Sequence, residues 1–379
     1  MNSQKKQKNA FLRNGAVQSL IASLVCIILG LFLGFLVLLI INPAGAWDAI
    51  VAILKNYMYY PSKIKALQYF GSTLVKTAPL LMCSLSVLFA YKVGLFNIGA
   101  AGQYVAGAGA SLYFALELHM PWYICILAAV VVSAAMAAIS GVLKAYCNVN
   151  EVISCIMLNW IALYVVNMLL SGVKDPSSPY TLALNSANPS AVIPSLGLGE
   201  LFAGNKYVTI AIPLSVIMAV LIWILLDKTK LGYELKATGL NRQAAKYCGM
   251  REKYNIILTM AIAGGLAGMG AACYYLTGME QWAVTQTSIP GMGFNGIAAG
   301  FLGGLHPIGA VFSSYFIQHI TSGGAYVDKS MYCSQISDLI SALIIYLCGF
   351  VFFFKLWMNR MLDRREEKRR AGGQEGGEA

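Results

Sequence analysis

Four amide side chains sit where an amide is costly. Asn97, Gln103, Asn159 and Asn295 lie within strongly apolar stretches, and in hydrocarbon an amide must either bond to a partner helix or face a wet cavity. A second set of polar residues is basic and clustered. From Asp227 to Lys253 the chain carries Lys228, Lys230, Lys236, Arg242, Lys246, Arg251 and Lys253. Inside that stretch Asn241 can cap a short helix opening at Arg242, and Gly249 suits a left-handed stop. One reading of this two-turn amphiphilic helix is a basic interfacial element that holds a linker against lipid.

The elements that must position these residues are transmembrane helices. The 379 residues are 58% hydrophobic and 11% charged, whereas soluble domains run near about 25% charged. The apolar residues cluster in long runs with short polar connectors, and a bilayer asks for about 20 residues per helix. The chain is therefore expected to be an all-α polytopic membrane protein; disorder, a secreted disulfide scaffold and a nucleic-acid binder are excluded. Ten spans are expected, near 17–41, 72–91, 97–117, 121–143, 151–171, 207–226, 255–277, 289–304, 307–322 and 335–357. The first follows Lys5, Lys6, Lys8 and Arg13 and precedes Ala44-Gly45-Ala46. That tripeptide imitates a signal-peptidase site, but a signal core is about 7 to 15 residues, so an uncleaved signal anchor is expected.

Charge sets the orientation. With the N-terminus inside, most Lys and Arg fall on cytoplasmic segments, as the positive-inside rule requires, and an even span count puts both termini in the cytoplasm. Most of the formal +11 is thus topological. The expected organisation is a cytoplasmic tail at 1–15, a membrane domain at 16–357 and a basic, disordered cytoplasmic tail at 358–379. Within the membrane domain lie a cytoplasmic loop at 227–253 and an extracytoplasmic loop at 172–206, rich in Pro, Ser and Asn.

An internal repeat organises the spans. Phe96-Asn97-Ile98-Gly99-Ala100-Ala101-Gly102 aligns with Phe294-Asn295-Gly296-Ile297-Ala298-Ala299-Gly300 at an offset of 198, on spans that run in opposite directions. The chain thus reads as two inverted five-span halves, and glycine-interrupted apolar segments at matching positions point to a transport pathway. Close helix packing explains the same glycines, as in Gly30-x-x-x-Gly34, Gly264-x-x-x-Gly268 and Gly300-x-x-x-Gly304.

Other features are weaker. Gly291-Met292-Gly293-Phe294-Asn295-Gly296 imitates a dinucleotide fingerprint but follows no strand. Nine cysteines without a Cys-x-x-Cys pair read as small core hydrophobes, and no metal or cofactor is expected. Glu151 suits the start of span five, His306 a structural turn before Pro307, and Asp338 an interfacial position.

Four separated motifs carry a resemblance. They are Gly94-Leu95-Phe96-Asn97-Ile98-Gly99-Ala100-Ala101-Gly102-Gln103; Asn150-Glu151-Val152-Ile153 with Met157-Leu158-Asn159; Ala237-Thr238-Gly239-Leu240-Asn241 with Ala244-Ala245; and Gly293-Phe294-Asn295-Gly296-Ile297-Ala298 followed by His306-Pro307-Ile308-Gly309. In order, from about residue 70 to 323, the chain resembles permease subunits of bacterial ABC importers. The branch is that for nucleosides and simple sugars, within the ribose and branched-chain amino acid permease superfamily. Thr238 departs from the pattern, where a small apolar residue such as Val is expected.

The resemblance implies a multi-pass protein of the bacterial cell membrane, not an enzyme, working with a cytoplasmic ABC ATPase, a second, related permease subunit and an extracytoplasmic solute-binding lipoprotein. It implies that the short helix is the coupling helix for the ATPase, drawing on Gly239, Asn241, Arg242, Ala244, Ala245 and Gly249. No Gly-x-x-x-x-Gly-Lys-Ser/Thr motif occurs in this chain, so any ATP hydrolysis belongs to a separate subunit. A neutral solute, a nucleoside first and a pentose or hexose second, needs hydrogen-bonding side chains without fixed charge; Asn97, Gln103, Asn159 and Asn295 are the pathway candidates. An ion-coupled secondary transporter is the other class, weakened by the lack of paired intramembrane carboxylates.

Overall fold

The computed structural model describes residues 15–333 and 335–374, and they form a helical bundle. The helices are α1 (Gly15–Ile41), α2 (Ala46–Lys55), α3 (Lys63–Lys92), α4 (Ala100–Leu116), α5 (Trp122–Cys147), α6 (Glu151–Leu170) and α7 (Ala211–Lys228). They continue with α8 (Lys230–Leu240), α9 (Arg242–Tyr247), α10 (Glu252–Tyr275), α11 (Met292–Leu302), α12 (Pro307–Gly323), α13 (Ile336–Cys348) and α14 (Val351–Gln374). No strand forms among the described residues, only two isolated bridges, Lys174 to Thr181 and Tyr180 to Ala283.

Six helices are long and apolar enough to cross a membrane: 21–41 of α1, α3, α5, 151–173 including α6, α7 and α10. The other four expected spans appear as shorter helices. α4 loses its first turn to an irregular stretch at 93–99, α11 has 11 residues and α12 has 17, and the tenth is broken at Gly349–Phe350 between α13 and α14. The last helix also corrects an expectation: it runs through the basic stretch to Gln374 instead of dissolving after residue 357. Arg, Glu and Lys are good helix formers. The tail at 1–14 lies outside the described residues.

Burial sorts the helices into an inner and an outer set. Residues 77–90 of α3 are buried without interruption, and nearly all of α4 and most of α10 are buried with them. α3 packs on α10, α4 lies against α10 and α11 lies against α3. Glycines permit the close approach. A Cβ on Gly107 would stand 2.4 Å from the Gly268 Cα, and one on Gly264 would stand 2.3 Å from the Ala137 Cβ. The glycine pair at 264 and 268 is therefore a helix-packing device, and so is the pair at 30 and 34, which meets Ile344 and Ile340. The third pair is not: Gly300 has only loose contact with Ser84, and Gly304 lies beyond the end of α11. The outer set, α1, α5, α6 and α7, buries a third or less of its most apolar window, which leaves those surfaces for lipid or a partner.

The stretch at 172–206 is irregular but not a free surface loop. Val173, Leu184, Ala191 and Ile193 join the core. Backbone bonds from Thr181 to Trp282 (2.9 Å), Val284 to Pro179 (3.0 Å) and Ile193 to Leu276 (3.0 Å) stitch it to the segment after α10. It is a lid over one end of the inner helices. At the opposite end of α7 lie α8 and α9.

Candidate functional site

The break before α4 is built around a closed knot of amides. Asn97 Nδ2 donates to Gln103 Oε1 (2.8 Å) and to Ser86 Oγ (3.1 Å), and Gln103 Nε2 donates back to Asn97 Oδ1 (3.0 Å). Asn159 reaches in from α6: its Oδ1 accepts from the Gly102 amide (2.9 Å) and its Nδ2 donates to the Ile98 carbonyl (3.2 Å). Ser133 of α5 donates to the Gln103 carbonyl at 2.7 Å. The knot thus ties α3, α4, α5 and α6 together and satisfies backbone that a broken helix leaves unpaired. Asn97, Gln103 and Asn159 are all buried, and their side-chain hydrogen bonds go to one another, to the Ser86 hydroxyl and to backbone.

Asn295 stands outside this network. It is half-buried in the first turn of α11 beside the exposed Phe294, and its side chain makes no hydrogen bond to the described residues. The repeat therefore brings two asparagines to different chemistry: one closed in a loop, the other open on a helix. The structure brings together three of the four expected pathway amides and leaves the fourth with free bonding capacity. Lys76, half-buried within α3, is an exception to the scarcity of charge inside the spans.

The basic loop folds as its local chemistry dictates. Thr229 caps α8 by accepting from the Gly232 amide (3.1 Å), and Asn241 caps α9 by accepting from Ala244 (3.0 Å). Gly249, with φ of +79°, turns the chain out of α9. Ala245 is the buried seat of α9, whereas Gln243, Ala244, Lys246 and Tyr247 face outward. Arg242 Nη2 donates to the Ala145 carbonyl (3.0 Å) at the end of α5, and Lys253 sits 4.4 Å from the centre of the Tyr146 ring. Gly239 lies on the turn after α3, because a Cβ there would stand 2.0 Å from the Val93 carbonyl oxygen. A cleft of about 540 Å³ opens behind α9, lined among others by Tyr233, Arg251, Tyr254 and Asn255.

Two exposed apolar side chains flank α9. Leu240 is 89% and Tyr247 is 90% exposed. They are the two most exposed large apolar side chains among the described residues.

Several contacts escaped sequence reasoning. Asn255 Nδ2 donates to Thr238 Oγ1 at 2.8 Å, both residues being buried, so Thr238 departs from the apolar pattern because its hydroxyl serves an amide on α10. Ser86 and Ser133 join the knot, yet a serine in an apolar helix carries no signal, since its own helix backbone usually satisfies it. Glu151 pairs with Lys144 at 2.8 Å across the α5–α6 turn, where Asn150 is the cap. His306 caps α12 through its Nδ1, which accepts from the Ile308 amide.

Comparison with known proteins follows the same outline. The profile of the branched-chain amino acid transport system / permease component family matches residues 69–349. The nucleoside ABC transporter permease protein NupB of Lactococcus lactis is 30% identical over 91% of this chain and 94% of its own length. The guanosine ABC transporter permease protein NupP of Bacillus subtilis is 30% identical over 90% of this chain and 96% of its own. The glucose ABC transporter permease protein TsgB13 of Haloferax volcanii is 28% identical over 78% and 80%. No solved structure matches the chain at a significant level. With a match of this extent over a bundle of apolar helices, the chain belongs to the branched-chain amino acid transport system / permease component family, as a multi-pass ABC transporter permease of the cell membrane.

Proposed function

We propose that the protein is the membrane-spanning subunit of an ATP-driven, binding-protein-dependent importer whose solute is a nucleoside. The observation that carries the solute class is the likeness over nine-tenths of the chain to permeases named for nucleosides and guanosine. A neutral solute with several donors and acceptors suits Asn295, the amide on α11 with unused hydrogen-bonding capacity, next to Phe294. Asn97, Gln103 and Asn159 support the pathway from behind by holding the break before α4 in shape. A simple sugar is the second reading, favoured by the likeness to a glucose permease.

The chain crosses the bilayer ten times in two inverted halves, with both termini in the cytoplasm. The crossed packing of α4 on α10 and of α11 on α3 supports this reading, because each half then lends its glycine-rich short helix to the other half's long one. The cytoplasmic ATPase docks on α9 between Leu240 and Tyr247, a related permease completes the pathway, and the solute-binding lipoprotein meets the end bearing the lid at 172–206. ATP acts only through its different affinity for the outward and inward arrangements. The test of the solute is uptake by cells expressing the complete transporter: tritiated guanosine is expected to enter and tritiated ribose and glucose are not, whereas uptake of a sugar without guanosine would transfer the assignment to the sugar.

A further inference from the structure

Val93 and Gly94 turn the chain out of α3, and Gly239 in the last turn of α8 rests directly on them. A Cβ on Gly239 would stand 2.0 Å from the Val93 carbonyl oxygen, and a Cβ on Gly94 would stand 2.8 Å from the Gly239 carbonyl oxygen. Gly94 also has φ of +78°, a conformation that favours glycine. Two backbones therefore touch with no side chain between them. Side-chain contacts can absorb a displacement by changing rotamer; a backbone contact at van der Waals distance passes it on or breaks.

What lies on each side gives the contact its meaning. On one side α8 leads straight into α9 through the cap at Asn241. On the other, only Leu95 and Phe96 separate Gly94 from Asn97, the centre of the amide knot at the start of α4. Other ties of the loop, Arg242 to the Ala145 carbonyl, Lys253 over the Tyr146 ring and Asn255 to Thr238, run through side chains and end on α5 and α10, while Gly232 packs on the Leu225 carbonyl at the adjoining end of α7. Lys236 pairs with Asp227 at 2.9 Å and holds α8 to the end of α7.

We propose that the Gly94–Gly239 contact is the positioning device that carries displacement of the α8–α9 loop into the Asn97–Gln103–Asn159 knot, so that ATP-driven movement enters the membrane domain at the start of α4. This rests on the reading of α9 as the ATPase docking element. The knot is a packed hydrogen-bonded unit with a small number of satisfied arrangements, the kind of element that turns a sub-ångström push into a switch.

The test uses the complete transporter in proteoliposomes, with tritiated guanosine as the solute. Gly239→Ala and, from the other side, Gly94→Ala are expected to keep the ATPase subunit bound and hydrolysing ATP while guanosine imported per ATP falls about tenfold. Val131→Ala, on the exposed face of α5, is expected to leave that ratio unchanged. A wild-type ratio in both glycine variants would overturn the proposal. Hydrogen exchange on the wild-type complex makes the test independent of variant folding: trapping with ADP and vanadate is expected to change protection at residues 97–103 together with 239–249. A change confined to 239–249 would overturn the proposal and spare the docking reading, whereas a wild-type permease that never retains the ATPase would bring down both.

Discussion

Asn97 and Gln103 exchange two hydrogen bonds, at 2.8 and 3.0 Å, and close a ring of amides across the break between α3 and α4. Each is the other's main side-chain partner in a buried setting, so neither can be removed without stranding the other. Asn97→Ala leaves both polar ends of Gln103 short of partners and is expected to cost about 1 to 3 kcal/mol. A lowered melting temperature of the detergent-solubilised transporter is the readout. A variant as stable as the wild type would show that the ring is incidental.

Asn295→Ala is expected to do the opposite. The side chain makes no hydrogen bond within the described protein, so melting should not move, while the concentration of guanosine-loaded binding protein needed for half-maximal uptake, or the maximal rate, changes several-fold. Unchanged uptake would remove Asn295 from the pathway.

The contrast between these two asparagines shows what the sequence made legible. Apolar runs, the cap at Asn241 and the tight glycines at 264 and 268 are local or periodic signals, and helices formed there, though Asn150, rather than the expected Glu151, caps the start of α6. The fate of an amide is not local. Asn97 and Asn295 occupy matching places in a repeat, yet only the packing of Ser86, Gln103 and Asn159 around one of them decides which is closed. Thr238 looked like a departure from a family pattern until Asn255, seventeen residues on, supplied the reason. The expected crossings at 289–304 and 335–357 take the form of shorter helices, α11 of 11 residues and α13 of 13 residues followed by α14 after a break, and where a helix breaks is set by its packing and not by the apolar run alone.

Tyr247→Asp and Leu240→Asp are expected to abolish co-purification of the ATPase subunit without shifting the melting of the permease itself, since both side chains are nine-tenths exposed and exposed substitutions cost the fold little, within about 0.5 kcal/mol. A thiol on this surface offers a second readout: Cys248 is exposed, as is Cys147 at the end of α5, and in a Cys147→Ser background maleimide labelling of Cys248 should be rapid in the isolated permease and slow in the complex.

Gly268→Val is expected to prevent assembly of the bundle. Its Cβ would fall 2.2 Å from Ser133 Oγ and 2.6 Å from the Ala129 carbonyl oxygen, and overpacking of a tight interior costs about 1 to 3 kcal/mol or more. Loss of monodisperse protein on size-exclusion chromatography is the readout, with normal elution as the contrary result.

The central claim is that this chain moves solute only as part of an ATP-driven complex. The direct measurement is guanosine accumulation in proteoliposomes reconstituted with the permease alone and with its ATPase, partner permease and binding protein. Accumulation should require all four and ATP inside the compartment that the ATPase faces, and should survive an uncoupler. Guanosine accumulated by the chain alone, or abolished by the uncoupler with ATP present, would contradict it.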